Sequence, residues 1–108
     1  MAVFARFHNH VITHLSWDIH LCAVGQAVVG MLSDRIIGLE RGRFEQLNSA
    51  FRRMLANGTC DFEPEFEDFC VLKGVHDYPP RHGSALLPFE CLADLFALDA
   101  KAASLDCA

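Results

Sequence analysis

No apolar run in the chain reaches the roughly 18 residues that suggest a membrane span. The longest, around Ala23–Leu32 and Ala85–Phe89, are broken by Gly25, Gln26, Gly30 or Pro88. An excess of basic side chains is also missing. With 9 Lys and Arg against 14 Asp and Glu, the formal charge is −5, and the basic patch that selects nucleic acid is not expected. The opening MAVFARFHNHV has neither the charged-then-apolar layout nor the cleavage site of a secretory signal. Cysteines stand at 22, 60, 70, 91 and 107, none two to four residues from another, so no C-x-x-C or zinc-knuckle spacing exists. An odd count without a signal reads as reduced thiols of a cytoplasmic protein. Neither G-x-G-x-x-G, a P-loop, G-x-S-x-G nor H-E-x-x-H occurs. A hydrolase or nucleotide-dependent enzyme has nothing here to work with, and the chain is read as a non-enzyme. Repeats, low-complexity tracts and linkers are absent too.

What is present suits one domain over residues 1–108. A 52% hydrophobic content supplies a core and excludes a disordered chain. From Val11 to Leu21 the residues alternate, with Val11, Thr13, Leu15, Trp17, Ile19 and Leu21 on one parity. That is the period of a half-buried strand, and Ile12 is its one exception. Val3–Phe7 reads as an earlier strand, joined through a turn at His8-Asn9-His10. A two-stranded ribbon alone is marginal in water, so it must lie on helices or lack a strand.

After Leu21 the period changes. Cys22, Ala23, Ala27, Val28, Met31, Leu32, Ile36 and Ile37 recur at helical steps, with Gly38 as the stop. Gly25 and Gly30, inside that helix, suggest close backbone approach. Phe44, Leu47, Phe51, Met54 and Leu55 mark a second helix ending at Asn57-Gly58. Thr59 to Asp68 carries five acidic residues and Pro64 and reads as a solvated acidic loop. Phe66, Phe69, Cys70, Val71 and Leu72 then suggest a short packed helix, and Asp77-Tyr78-Pro79-Pro80 a turn. From Ser84, Leu86 to Phe96 form a third long helix, with Pro88 in its first turn or kinking it. The tail from Asp99 is expected to fray. Strands before helices indicate an α+β domain: a small antiparallel sheet with three longer helices and one short helix on one face.

Cys22 is the leading candidate for chemistry. A thiol where a strand gives way to a helix meets free backbone N–H groups and the positive end of the helix dipole, which favour thiolate. The bland reading is a buried structural cysteine. Four of the six histidines fall in the first twenty residues. His14 and His20 share a strand face with Cys22, which suits a Cys/His metal site, or they are simply solvent-face residues of an amphipathic strand. Arg81-His82-Gly83-Ser84 forms an anion or metal pocket at the last helix's N-terminus, or caps it. Cys60, Cys70, Cys91 and Cys107 read as structural or incidental.

The string Cys22-Ala-Val-Gly-Gln-Ala27 resembles the second cysteine motif of the NifU/IscU/SufU family of iron–sulfur cluster scaffolds. Leu72-Lys-Gly-Val-His-Asp-Tyr-Pro-Pro-Arg-His-Gly-Ser84 is similar to the segment that precedes the family's third cysteine. There this chain has Ser84, and it starts after the place of the family's first strand and first cysteine, so only Cys22 of three family cysteines remains. The resemblance implies an IscU/NifU-like fold and a role in cluster assembly. An iron–sulfur cluster, iron or zinc is the implied cargo, and a cysteine desulfurase and apo-acceptor proteins are the implied partners. It places Cys22 as sulfur acceptor or metal ligand, His82 as a second metal ligand, and Arg81 and Ser84 in the same pocket. Soft thiolates, normally four, hold such clusters. Other readings are a zinc or sulfur relay, or an interaction module that keeps the fold without the site. The incomplete sheet also suggests a homo-oligomer through its exposed edge.

Overall fold

The computed structural model of the chain describes residues 2–18 and 20–106. Strand β1 (Ala2–His8) and strand β2 (Val11–Asp18) form an antiparallel hairpin. Helices α1 (Ala23–Arg35) and α2 (Arg41–Asn57) follow. A 3-10 segment, Pro64–Asp77, and a 3-10 turn, Pro79–Arg81, lead into α3 (His82–Asp106). This is the expected α+β order. No helix among the described residues is long and apolar enough to cross a membrane.

The hairpin turn is two residues, Asn9 and His10, with φ of 53° and 66°. Two successive left-handed residues make the turn whose twist matches the strands it joins, and Asn tolerates that conformation well. Ile12, the exception to the alternation, has a physical cause. Arg6 pairs with His14 but Phe7 pairs with Ile12, which leaves Thr13 over as a bulge. One extra residue reverses the parity of the strand beyond it. Ile12 therefore turns inward and is fully buried, while Leu15 and Trp17 stay on the helix-facing side. Beyond Asp18 the alternation does not continue as strand. Ile19 lies outside the described residues, and His20, Leu21 and Cys22 are not in a strand.

Helix α1 ends sooner than the apolar pattern suggests. Arg35 is its last residue, and Ile37 instead bridges to Ile12 beside β2, where the Gly38 N–H donates to the Ile12 carbonyl at 2.9 Å. Packing against the open strand edge takes over from helical propensity there. Helix α2 ends as expected, with Gly58 in the left-handed region at φ 73°. Its apolar stripe buries Phe44, Leu47, Phe51, Met54 and Leu55.

Three sequence expectations need correction in the second half. The acidic stretch is not simply a solvated loop: from Pro64 it is helical, and Arg35 pairs with Asp68, Arg43 with Glu63 and Glu65, and Arg53 with Asp61. Such exposed pairs contribute little stability each; they link the stretch to α1 through Arg35 and to α2 through Arg43 and Arg53. The short helix extends over 14 residues, and of its apolar side chains Phe66, Phe69 and Val75 are buried while Val71 is 77% exposed. Three residues per turn places 66, 69 and 75 on one face and 71 off it. The double proline opens a further 3-10 turn at its first positions, where a missing N–H costs nothing.

Pro88 falls in the second turn of α3, which runs on through Asp99 to Asp106. The core is a stack of phenylalanines from several elements. Phe51 lies 4.5 Å from Phe89 between ring centroids, Phe44 lies 5.1 Å from Phe96, and Phe69 lies 6.2 Å from Phe89. Phe7 meets Phe96 edge to face at 5.6 Å, and His10 Nδ1 lies 3.0 Å from Asp99 Oδ2, so the hairpin rests on α3. Among the described residues no polar or charged side chain is fully buried.

Candidate functional site around Cys22

Cys22 immediately precedes α1, in an extended conformation, and Ser84 is in the first turn of α3. The two helices start side by side, and Cys22 Sγ lies 3.0 Å from Ser84 Oγ. A protonated thiol donates to that hydroxyl; a thiolate accepts from it. The close approach depends on Gly25. A Cβ there would stand 2.7 Å from Ser84 Oγ and 2.7 Å from Leu21 Cβ, nearer than real contacts allow. Gly30 has open space around it and no such role.

The sulfur is held in a form that favours charge. Its pKa is lowered from 9.0 to about 7, first by the Ser84 hydroxyl and then by the Gly25 backbone N–H, with smaller help from the Val24 N–H and from Arg81. Partial burial opposes this and is outweighed. These are the helix N-terminal donors that a neutral residue leaves without partners, joined by a guanidinium. The result is a half-exposed, readily ionised thiol.

His82 is turned to other work. Its Nε2 donates to the Val75 carbonyl at 2.9 Å, with the His76 carbonyl at 3.2 Å, so it pins the end of the 3-10 segment to α3. Only Nδ1 is left for a ligand. His76 itself donates from Nδ1 to the Leu55 carbonyl at 2.7 Å, and its ring packs against Gly58. Beside Cys22, a groove of about 320 Å³ is lined by Val24, Leu72, Val75, Tyr78 and Arg81.

The structure thus brings together Cys22, Ser84 and Arg81, with the close backbone approach expected at Gly25 found there, and with the Gly25 and Val24 N–H groups as thiolate donors that the sequence reading did not assign. The N-terminal histidines stand apart. His14 is exposed and shares a 3.1 Å contact with Thr13 Oγ1, and His20 lies beyond the end of β2, so the shared strand face with Cys22 does not exist. Among the described residues no three His, Cys, Asp or Glu side chains gather as a metal site. Cys60 is exposed, while Cys70 and Cys91 are half-buried with pKa values raised, mainly by burial. Cys107 lies outside the described residues.

A two-stranded hairpin on a helical layer, with a thiol where two helices start, defines an α+β thiol-bearing domain. No protein-family model matches the chain, and no curated protein does. A crystal structure of the N-terminal part of a nitrogen-fixing NifU-like protein from Brucella abortus is similar, with a TM-score of 0.79 and 30% sequence identity. The similarity covers 85% of this chain and 64% of that one. The chain is NifU-like in fold, as the resemblance implied.

Proposed function

We propose that this chain serves iron–sulfur cluster assembly as a NifU-like, non-enzymatic carrier, and that Cys22 accepts sulfur. The observation that carries this reading is the Cys22 thiol, 3.0 Å from Ser84 Oγ and with its pKa lowered to about 7. The proposed donor is the persulfide of a cysteine desulfurase. The Cys22 thiolate attacks the donor's terminal sulfur, the donor's S–S bond breaks, and the donor cysteine leaves as a thiolate that takes up a proton. Cys22 then carries a persulfide. Ser84, the Gly25 and Val24 N–H groups and Arg81 hold the anionic sulfur before and after. An apo-acceptor protein is the proposed recipient.

The cluster is cargo in this scheme. Iron–sulfur clusters take four thiolate-type ligands as a rule, and Cys22 with an oxygen donor at Ser84 does not complete that set. A cluster held here takes its remaining ligands from a second chain or from the acceptor.

Mixing the chain with a cysteine desulfurase and cysteine, without oxygen, tests the reading by mass spectrometry of the thiol peptides. One added sulfur on the Cys22 peptide is expected, and none at that position in Cys22→Ser. Sulfur spread evenly over Cys60 and Cys91, or none on Cys22, would overturn it.

A further inference from the structure

The two prolines ahead of α3 interrupt the backbone hydrogen bonding of the 3-10 segment. In a continuing helix, the N–H groups of residues 79 and 80 would serve the carbonyls of Val75 and His76. Pro79 and Pro80 have no N–H to give. The Tyr78 N–H turns to the Val75 carbonyl at 2.9 Å, and the Arg81 N–H to the Tyr78 carbonyl at 2.9 Å. His82 supplies the donor that the prolines lack. Its half-buried ring directs Nε2–H at the Val75 carbonyl, 2.9 Å away, with the His76 carbonyl at 3.2 Å. Carbonyl oxygens only accept, so Nε2 carries the proton. The same segment is tied on its other side, where His76 Nδ1–H donates to the Leu55 carbonyl in the last turn of α2 at 2.7 Å.

We propose that His82 is a positioning residue of the Cys22 site, standing in for the N–H groups of Pro79 and Pro80 and so fixing the turn that presents Ser84 to the sulfur. The inference rests on the reading of Cys22 as the sulfur acceptor. His82 opens α3, Arg81 directly precedes it, and Ser84 follows two residues later with its Oγ 3.0 Å from Cys22 Sγ. Two carbonyls left without that donor favour opening of the turn toward water. A hydroxyl on a loosened turn no longer holds a 3.0 Å contact, and the sulfur loses the group that most favours its charge. His82 acts through Ser84 and does not itself touch the sulfur's partner.

Alkylation of the full chain by iodoacetamide against pH, read by peptide mapping, tests this in two variants. His82→Phe keeps a ring and removes the donor, whereas His82→Gln keeps an N–H that can face the carbonyls. The Cys22 midpoint is expected to move up from about 7 toward 9.0 in His82→Phe and to stay near 7 in His82→Gln. Cys91, farther along α3, should keep its profile in both, which separates a positioning role from general loosening. Where His82→Phe does not fold, His82→Ala gives the same comparison. A folded His82→Phe or His82→Ala with its midpoint still near 7 would overturn the proposal. So would a His82→Gln that shifts as far, or a Cys91 profile that moves together with that of Cys22. Iodoacetamide needs no desulfurase, so the two readings fail separately: a wild-type Cys22 that alkylates with a midpoint near 7 but takes no sulfur counts against the proposed function alone.

Discussion

Cys22 and Cys70 are the same side chain, both half-buried, and the fold pulls them in opposite directions. The first titrates near 7 and the second near 11, against an ordinary 9.0. Loss of water raises both. At the start of α1 that cost is outweighed, because Ser84, two backbone N–H groups and Arg81 all favour the charged sulfur. Along the 3-10 segment nothing comparable is available. The neighbouring Cys60 and Glu67 add to the rise and only Lys73 opposes it. Degree of exposure therefore does not decide reactivity here. Which groups stand within reach of the sulfur does, and those are set by where two helices begin.

The largest way to erase this difference is to remove what both regions share. Phe89 of α3 stacks on Phe51 and also touches Phe69 of the 3-10 segment, so it fixes α3 relative to both thiols. Phe89→Ala is expected to cost about 3–5 kcal/mol of stability, read from urea unfolding. The alkylation rates of Cys22 and Cys70 should then converge. A narrower break is Gly25→Ala. The new methyl meets Ser84 Oγ and Leu21 at 2.7 Å and forces the two helix starts apart. The expected loss is about 1–3 kcal/mol, as for overpacking elsewhere, with Cys22 alkylation slowed and Cys70 unchanged. Unchanged Cys22 reactivity in a folded Gly25→Ala protein would show that the close approach does not set its ionisation.

Much of this arrangement was legible in the residues. The α2 stripe from Phe44 to Leu55 and its Gly58 stop repeat at helical spacing, and local chemistry suffices for such elements. The Cys22 motif and the turn before Ser84 pointed to one pocket because both are short and specific. Where the reading failed, a distant partner decided. The parity of Ile12 depends on a bulge opposite Phe7, and Ile37 leaves its helix to pair with Ile12. The double proline forbade an α-helix but not a 3-10 turn. His82 looked like a free ligand because no spacing rule shows that two carbonyls, of Val75 and His76, already face it.

The subtlest prediction separates the two thiols by pH. Cys22 has a folded pKa below its unfolded value of 9.0. Between pH 7 and 9 the unfolded chain binds the extra proton, so this group's stabilisation grows as pH rises and is lost as pH falls through about 7. Cys70 has the opposite sign. Its folded pKa of about 11 means the native state keeps a proton that the unfolded chain loses, so its contribution is full below 9.0 and fades as pH climbs toward 11. Ser84→Ala removes the strongest of the groups that lower Cys22. The midpoint of Cys22 alkylation against pH should move up from about 7 toward 9.0, with Arg81→Gln giving a smaller move in the same direction. Stability measured against pH should lose part of its rise between 7 and 9 and keep its fall above 9.0. If Ser84→Ala leaves the Cys22 midpoint where it was, the backbone N–H groups and Arg81 hold the thiolate without it, and the serine is there for the fit between α1 and α3.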